Sequence, residues 1–312
     1  MHIALLPILA VFSALTPARQ WVPPTQPIVI NVKVPEPSKL VLTDFAGKEI
    51  APKDTSLLSV SGEKSVNLKD AYKEVSKGGT YVLFVVPQNK PTTQFTGTPL
   101  VIDGRSDNRK GAGGGEVMVT KIDPLEYAVM TTEQGTMSMA MYYDVAPITV
   151  SSFLYLSRTG YYDGLTFHRI IPDFVIQGGD PMGNGQGGPG YNVQAEFNDR
   201  KHEPGVLSMA RQGDPMERSG AAPRCEYANS GGSQFFVCLN YQNTQSLDGK
   251  YTAFGKVIDG MDTVKKIAST PLVTSNRGQS DKPVNPPVIQ KVEVKPVTAA
   301  ENPYAEMFGM KK

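Results

Sequence analysis

Only two stretches of this chain carry a helical apolar period of any length, and that scarcity decides its fold class. "PITVSSFLYLSRTG" (147–160) opens on Pro147, sets Val150, Phe153 and Leu154 on one face, and ends at Gly160. "DGMDTVKKIAST" (259–270) aligns Met261, Val264, Ile267 and Ala268. Elsewhere the apolar residues come in short runs cut by Gly, Pro, Asp and Lys, which is the punctuation of strands. With 30 glycines and 25 prolines among 312 residues, turns are plentiful enough to separate that many strands. The chain is therefore expected to be mainly β, with two isolated helices.

A chain of 312 residues accommodates two domains. Between 27 and 103, "IVINVKV", "KLVLTDF", "SLLSVSG" and "TYVLFVV" read as strands, and "LKDAYKEV" as one brief helical or turn-like interruption. Such a density of strands predicts a small immunoglobulin-like β-sandwich. The polar, Gly-rich "DGRSDNRKGAGGGE" predicts an interdomain linker at 104–115. From 116 to 295, "EYAVMTT" and "GTMSMAMYY" form a hairpin through Glu133, Gln134 and Gly135. Met137, Met139 and Met141 alternate there as a core stripe. "TFHRII", "FVIQGG", "GVLSMA", "SQFFVCL", "TAFGKVI" and "PPVIQKVEV" follow. Eight or so strands with two helices predict a closed antiparallel barrel whose ends the helices cover. Residues 296–312 read as a loosely ordered tail.

The apolar run Ile3–Leu15 has the length of a signal-peptide core, with cleavage expected near Arg19, so 1–18 is assigned as a signal peptide. The protein is then expected to be exported, periplasmic or secreted, and not inserted in a membrane. No Lys or Arg precedes the run, which leaves an uncleaved anchor or a buried segment as the alternative. Thirty-one basic residues against thirty acidic ones give no electrostatic footing for nucleic acid. Cys225 and Cys238 match neither a zinc nor a CxxC spacing, and His2, His168 and His202 are too scattered for a metal centre. Neither metal nor cofactor is expected. Export would permit a Cys225–Cys238 disulfide, while the core strand around Cys238 argues against it.

Several motif readings lose to plainer ones. "GNGQGG" (183–188) satisfies GxGxxG, but Pro189-Gly190 follows where a dinucleotide site needs a helix, so it reads as a surface loop. There is no GxSxG, and Ser230 and Ser233 lie in ordinary loop sequence. His168 with Asp173 would be half of a hydrolytic triad lacking its nucleophile. "FHRIIPDFVIQGGDP" (167–181) is different, because it threads Arg169 through an apolar strand. Such a charge must be paired or face a cleft. Gln177 beside Phe174 and Val175, and Gln234 beside Phe235 and Phe236, repeat the pattern. Together they describe a greasy pocket with a few directed polar groups.

"FHRIIPDFVIQGGDP", "GVLSMA", "GSQFFVC" and "LDGKYTAFGKV" resemble, in order and spacing, the motifs of the cyclophilin family over roughly 123–295. "YYDGLTFHRI", with no long insertion before it, is most similar to bacterial members. The resemblance implies a peptidyl-prolyl cis-trans isomerase acting on proline-containing polypeptides, built as an eight-stranded barrel with two capping helices. It implies that Arg169 is catalytic and that Phe174, Val175, Phe236 and Leu247 form the proline pocket. Gln177, Ala210, Arg211 and Gln234 would line the peptide groove, Gly185 would flank it, and His168 and Tyr251 would border it. Val175, Arg211, Ser246 and Tyr251 depart from frequent family residues, and the connection from 211 to 232 is unusually long. The rival reading is a peptide-binding or chaperone-like module using the same groove with incidental catalysis. The region before 116 lies outside the resemblance, and an envelope partner is one reading of its role.

Overall fold

The computed structural model describes residues 14–107, 117–275, 278–305 and 308. The chain divides into two units: residues 1–125 with 296–312, and residues 126–295. Unit 1 holds strands β1 (Leu15–Pro17), β2 (Trp21–Val22), β3 (Val29–Asp44), β4 (Ser59–Asn67), β5 (Gly79–Pro87), β6 (Leu100–Asp107) and β7 (Val117–Pro124). They join one antiparallel sheet in the order β1-β3-β5-β6-β7-β2, with β4 also on β3. The pairing runs through the long β3, whose first part pairs with β1 and β4 and whose second part pairs with β5, so it does not by itself show the two facing sheets expected of an immunoglobulin-like sandwich.

Both faces of the sheet are covered at β5. The run "VLFVV" (82–86) in β5 is apolar at every position and is buried on both sides. Leu83 and Val85 pack with Ile30, Val32, Leu42 and Ile102, beneath Leu68, Ala71, Tyr72 and Val75 from the short helix α1 (Leu68–Ala71) and the turn after it. On the other side Phe84 meets Phe95 at 5.2 Å and Phe308 at 5.9 Å between ring centres. Phe45 meets Phe308 edge-on at 5.6 Å. Tyr304 and Phe308 are fully buried, so the segment read as a loose tail supplies core to the first unit instead. Its approach is close: a Cβ on Gly47, whose φ is +87°, would overlap the Phe308 carbonyl. Apolar residues this isolated in a polar, Pro-containing stretch give no period to read.

Two further boundaries move. Gly104–Asp107 belong to β6, which pairs with β7 from Leu100↔Pro124 to Asp107↔Val117. The segment read as a linker thus connects two paired strands, and the division between units falls at Leu125/Glu126. Residues 108–115 of that segment lie outside the described residues, as do 1–13 of the assigned signal peptide. The end of that peptide is sheet: Leu15 pairs with Val32 and Pro17 with Ile30, and Ala14 and Leu15 are buried. Among the described residues no helix is long and apolar enough to cross a membrane.

Unit 2 contains β8 (Glu126–Thr132), β9 (Gly135–Met141), α2 (Pro147–Arg158), β10 (Arg169–Ile171), β11 (Val175–Gly178), β12 (Val206–Met209), α3 (Cys225–Ala228), β13 (Phe235–Cys238), α4 (Tyr241–Thr244), β14 (Ala253–Asp259), α5 (Met261–Ala268), β15 (Leu272–Ser275), β16 (Gly278–Pro283) and β17 (Ile289–Pro296). Eight of these strands form an antiparallel sheet, ordered β10-β11-β13-β12-β14-β9-β8-β17, and β15 pairs with β16 as a separate hairpin. Met137, Met139 and Met141 are buried core, as their alternation predicts. Helix α2 buries Val150, Phe153 and Leu154. Ala146 cannot cap it, so Glu196 reaches in and accepts from the Ile148 and Thr149 N–H groups at 3.1 and 2.8 Å. Both cysteines are free thiols; Cys238 is buried and Cys225 exposed.

Candidate active site

Antiparallel register assembles the site. Arg169 on β10 lies opposite Gln177 on β11, and Gln177 lies opposite Phe236 on β13. Residues facing each other across adjacent strands project to the same side. One row therefore sets a cation, an amide and an aromatic ring side by side. The turn that makes this possible is tight: Phe174 N–H donates to the Ile171 carbonyl at 3.1 Å. Pro172 has the fixed φ such a turn needs at its second position, and Asp173 takes the left-handed conformation, φ 56°. Strand regularity starts only at Arg169, so His168 borders the cavity beside Arg169, while Phe167 and Ile170 are core.

The cavity in front of this row measures about 550 Å³. His168, Arg169, Phe174, Val175, Gln177, Gly185, Ala210, Arg211, Phe236, Leu247 and Tyr251 all line it. Gln234, expected with them, lines an adjacent cleft of about 740 Å³ that shares Gln177, Gly185, Ala210 and Arg211. The cavity also has walls that sequence reading missed: Gly183, Asn184, Asp281 and Lys282. Asn184 is next to the expected Gly185, but Asp281 is 112 residues from Arg169 and no local signal links them. Ser246 sits exposed on the turn Gln245–Leu247, outside the lining.

The polar groups form a chain. Arg169 Nε–H donates to Asp281 Oδ2 at 2.7 Å and Nη1–H to Gln177 Oε1 at 3.0 Å. Gln177 Nε2 donates to Gln234 Oε1 at 3.0 Å, and Gln234 Nε2 to the Gly187 carbonyl at 2.8 Å. Each side chain in the chain is thereby oriented by the next. Arg211, by contrast, is spoken for. It makes a two-pronged pair with Glu217 (2.6 and 3.0 Å), and its Nε donates to the Lys250 carbonyl at 3.1 Å. Its guanidinium lies 4.2 Å from the centre of the Tyr251 ring. The hydrogen bond from Arg211 holds the Glu217 carboxyl below its ordinary value. The long 211–232 connection is braced from within as well, because Asp214 accepts from Arg224 Nε and Nη2 at 2.9 and 3.0 Å. The insertion thus delivers the carboxylate that fixes one wall of the cavity.

Behind the cavity, Phe236 is backed by the His202 ring, stacked at 6.2 Å. His202 is fully buried, with Nδ1 2.9 Å from Asp248 Oδ1 and Nε2 3.0 Å from Ser208 Oγ. Chemically this is a Ser-His-Asp chain, but Ser208 is sealed in the core with no route for a substrate. It is a strut under Phe236. Burial keeps the His202 imidazole below its ordinary pKa despite the opposing pull of Asp248, and burial does the same to His168. An unfolded histidine titrates near about 6.5. Between the depressed folded value and that figure the unfolded chain binds more protons, so stability is complete above it and declines as pH falls through the window. The slope is at most about 1.4 kcal/mol per pH unit for each group. His202→Gln should flatten part of the decline in Tm below neutrality; an unchanged slope would show that His202 takes up its proton as readily in the folded protein as in the unfolded chain.

The geometry now meets the comparisons with known proteins. Residues 127–294 match the family model described as "Cyclophilin type peptidyl-prolyl cis-trans isomerase/CLD". The chain belongs to the cyclophilin family. A peptidyl-prolyl cis-trans isomerase of Synechococcus elongatus is 42% identical over 155 residues, 47% of this chain and 96% of that protein. One from Helicobacter pylori is 36% identical over 164 residues, covering 51% of this chain and 91% of its own. A solved cyclophilin-type isomerase of Cryptosporidium parvum, crystallised in the presence of the dipeptide Ala-Pro, is 31% identical with a TM-score of 0.46, covering 54% of this chain and 98% of that one. The cyclophilin match coincides with unit 2, and unit 1 stands outside it.

Proposed function

We propose that unit 2 takes the proline ring of an X–Pro segment into the recess formed by Phe174, Val175, Phe236, Leu247 and Tyr251, and that Arg169 accelerates rotation about the preceding peptide bond. One observation carries this reading: the Arg169 guanidinium, tethered at Nε and Nη1, stands beside the apolar recess of Phe174, Val175, Phe236 and Leu247, whereas the cavity's other guanidinium, Arg211, is locked to Glu217. Rotation of a peptide bond is opposed by about 18–20 kcal/mol of resonance, and X–Pro bonds interconvert unaided over tens to hundreds of seconds. As the bond twists, conjugation is lost and the proline nitrogen regains a lone pair. A fixed N–H donor aimed at that nitrogen binds the twisted state better than the planar one, which is the condition for catalysis. Gln177 and Gln234 in the adjoining groove restrain the chain on one side of the rotating bond. No bond is made or broken, so neither a metal nor a cofactor has a part to play.

Closure of the eight-stranded sheet into a barrel belongs to the same reading. It is supported by bonds between its two ends, Ile289 N–H to the Leu165 carbonyl at 2.7 Å and Phe167 N–H to the Pro287 carbonyl at 2.9 Å. Such closure would hold the row of site residues rigidly. Export, and an envelope partner for unit 1, rest on the apolar run Ile3–Leu15 and on unit 1 lying outside the family match.

The test is NMR exchange spectroscopy on the full chain with an excess of an Ala-Pro peptide. Cross-peaks between the cis and trans forms are expected within a sub-second mixing time, far inside the uncatalysed rate. Peptide signals that broaden without any exchange between isomers would overturn the enzymatic reading in favour of a binding module.

A further inference from the structure

Arg169 is held from two sides, and only one of them belongs to the sheet. Gln177 faces it across the β10–β11 pair, whereas Asp281 comes from the separate β15–β16 hairpin, whose second strand lies against β10. Asp281 Oδ2 accepts from Arg169 Nε at 2.7 Å, and Asp281 and its neighbour Lys282 form part of the cavity wall. We propose that Asp281 is a positioning residue, holding Arg169 by Nε so that the far edge of the guanidinium faces the rotating bond. This rests on the reading of Arg169 as catalytic.

The donor inventory explains why this arrangement suits the task. A guanidinium has five N–H donors in a rigid planar fork. Asp281 takes the one on Nε and Gln177 takes one on Nη1. That leaves the second hydrogen of Nη1 and both of Nη2; one of the Nη2 pair runs parallel to Nε–H on the carboxylate's edge, and the other belongs to the terminal edge that Nη2 shares with Nη1. Two bonds to different edges fix the plane of the fork, which a single bond would leave free to swivel. The side chain needs such a brace because it is 40% exposed and packing alone does not immobilise it. The carboxylate is itself 52% exposed, so solvent screens its charge and the cation keeps most of its attraction for a developing lone pair. Gln177 is in turn held by Gln234, so the brace on that side is firm and the hairpin supplies the other.

The experiment compares Asp281→Ala, Asp281→Asn, Asp281→Glu and Arg169→Ala in the full chain, by kcat and KM on an Ala-Pro peptide. Asp281→Ala is expected to lower kcat about tenfold with KM within about twofold, since orientation matters most in the twisted state. Asp281→Asn keeps an acceptor without the charge and should lose less, about threefold, and Asp281→Glu should recover most of the loss. Two readouts separate this from a merely structural hairpin. The Arg169 Nε–H resonance should be sharp and slow to exchange in the native protein and broadened in Asp281→Ala, while hairpin amide shifts stay in place. Raising salt from about 20 mM to about 500 mM should bring native activity towards that of Asp281→Ala, which should itself be insensitive. Native kcat in Asp281→Ala, with Arg169→Ala inactive, would overturn the proposal. An active Arg169→Ala would remove the catalytic reading and this inference with it.

Discussion

Replacing Arg169 by alanine is expected to remove nearly all turnover on an X–Pro peptide and to leave the folded protein almost as stable as before. Both halves follow from the same geometry. Deleting one donor preorganised for a transition state lowers kcat by about 10²–10³ in comparable sites. The recess of Phe174, Val175, Phe236 and Leu247 does not depend on Arg169, so KM should move far less than kcat. Stability is spared because nothing is stranded: Asp281 is 52% exposed and returns to water, and Gln177 keeps its bond to Gln234. An ion pair this open contributes about 0–1 kcal/mol. Arg169→Lys should behave like the alanine variant, since a point-like ammonium cannot bond two partners and still present a flat edge. Coupled proteolytic assays with matched melting curves check this. Near-native turnover in Arg169→Ala would mean that desolvation in the pocket, without the guanidinium, drives rotation.

The second large effect lies in the other unit. Phe308→Ala should cost unit 1 about 3–5 kcal/mol, the range for a fully buried phenylalanine. Phe308 contributes ring contacts to Phe45, Phe84 and Tyr304, so truncation leaves a cavity among three aromatic rings. Gly47→Ala should act through the same contact by driving a methyl group into the Phe308 carbonyl and by forcing φ +87° on a residue with a side chain. Calorimetry of the full chain should show one transition falling in temperature while isomerase activity measured below it persists. If both variants leave every transition in place, Phe308 is not part of the unit's core.

The site was far more legible than the body that surrounds it, and the difference is physical. Arg169, Phe174, Val175 and Gln177 lie on one hairpin, where a period of two and a tight turn place side chains from local sequence alone. Phe236 and Gln234 announce themselves as polar and aromatic neighbours within a strand. Asp281 gives no such sign, since it stands between prolines and polar residues in a stretch with no apolar alternation. In unit 1 the runs of strand residues were readable, but which strands pair is a matter of long-range closure that no local pattern records. Glycine enrichment at 111–115 marked a boundary by composition, yet it stands between two strands in register with each other, Asp107 and Val117 being partners. Phe308 was lost for the opposite reason, as an apolar residue whose partners Phe45 and Phe84 lie more than two hundred positions earlier.

That last contact also sets a timetable. A ribosome releases residues in order, and the isomerase unit has all of its own chain, 126–295, before residues 296–312 leave the exit tunnel. Domains generally fold as they emerge. The unit begun before the isomerase is therefore completed after it: Phe45 and Phe84 wait for Phe308 through the whole synthesis of the enzyme that separates them. For that interval the newborn chain carries a working isomerase next to a half-built sheet, whose β3 contains Pro35 and Pro37.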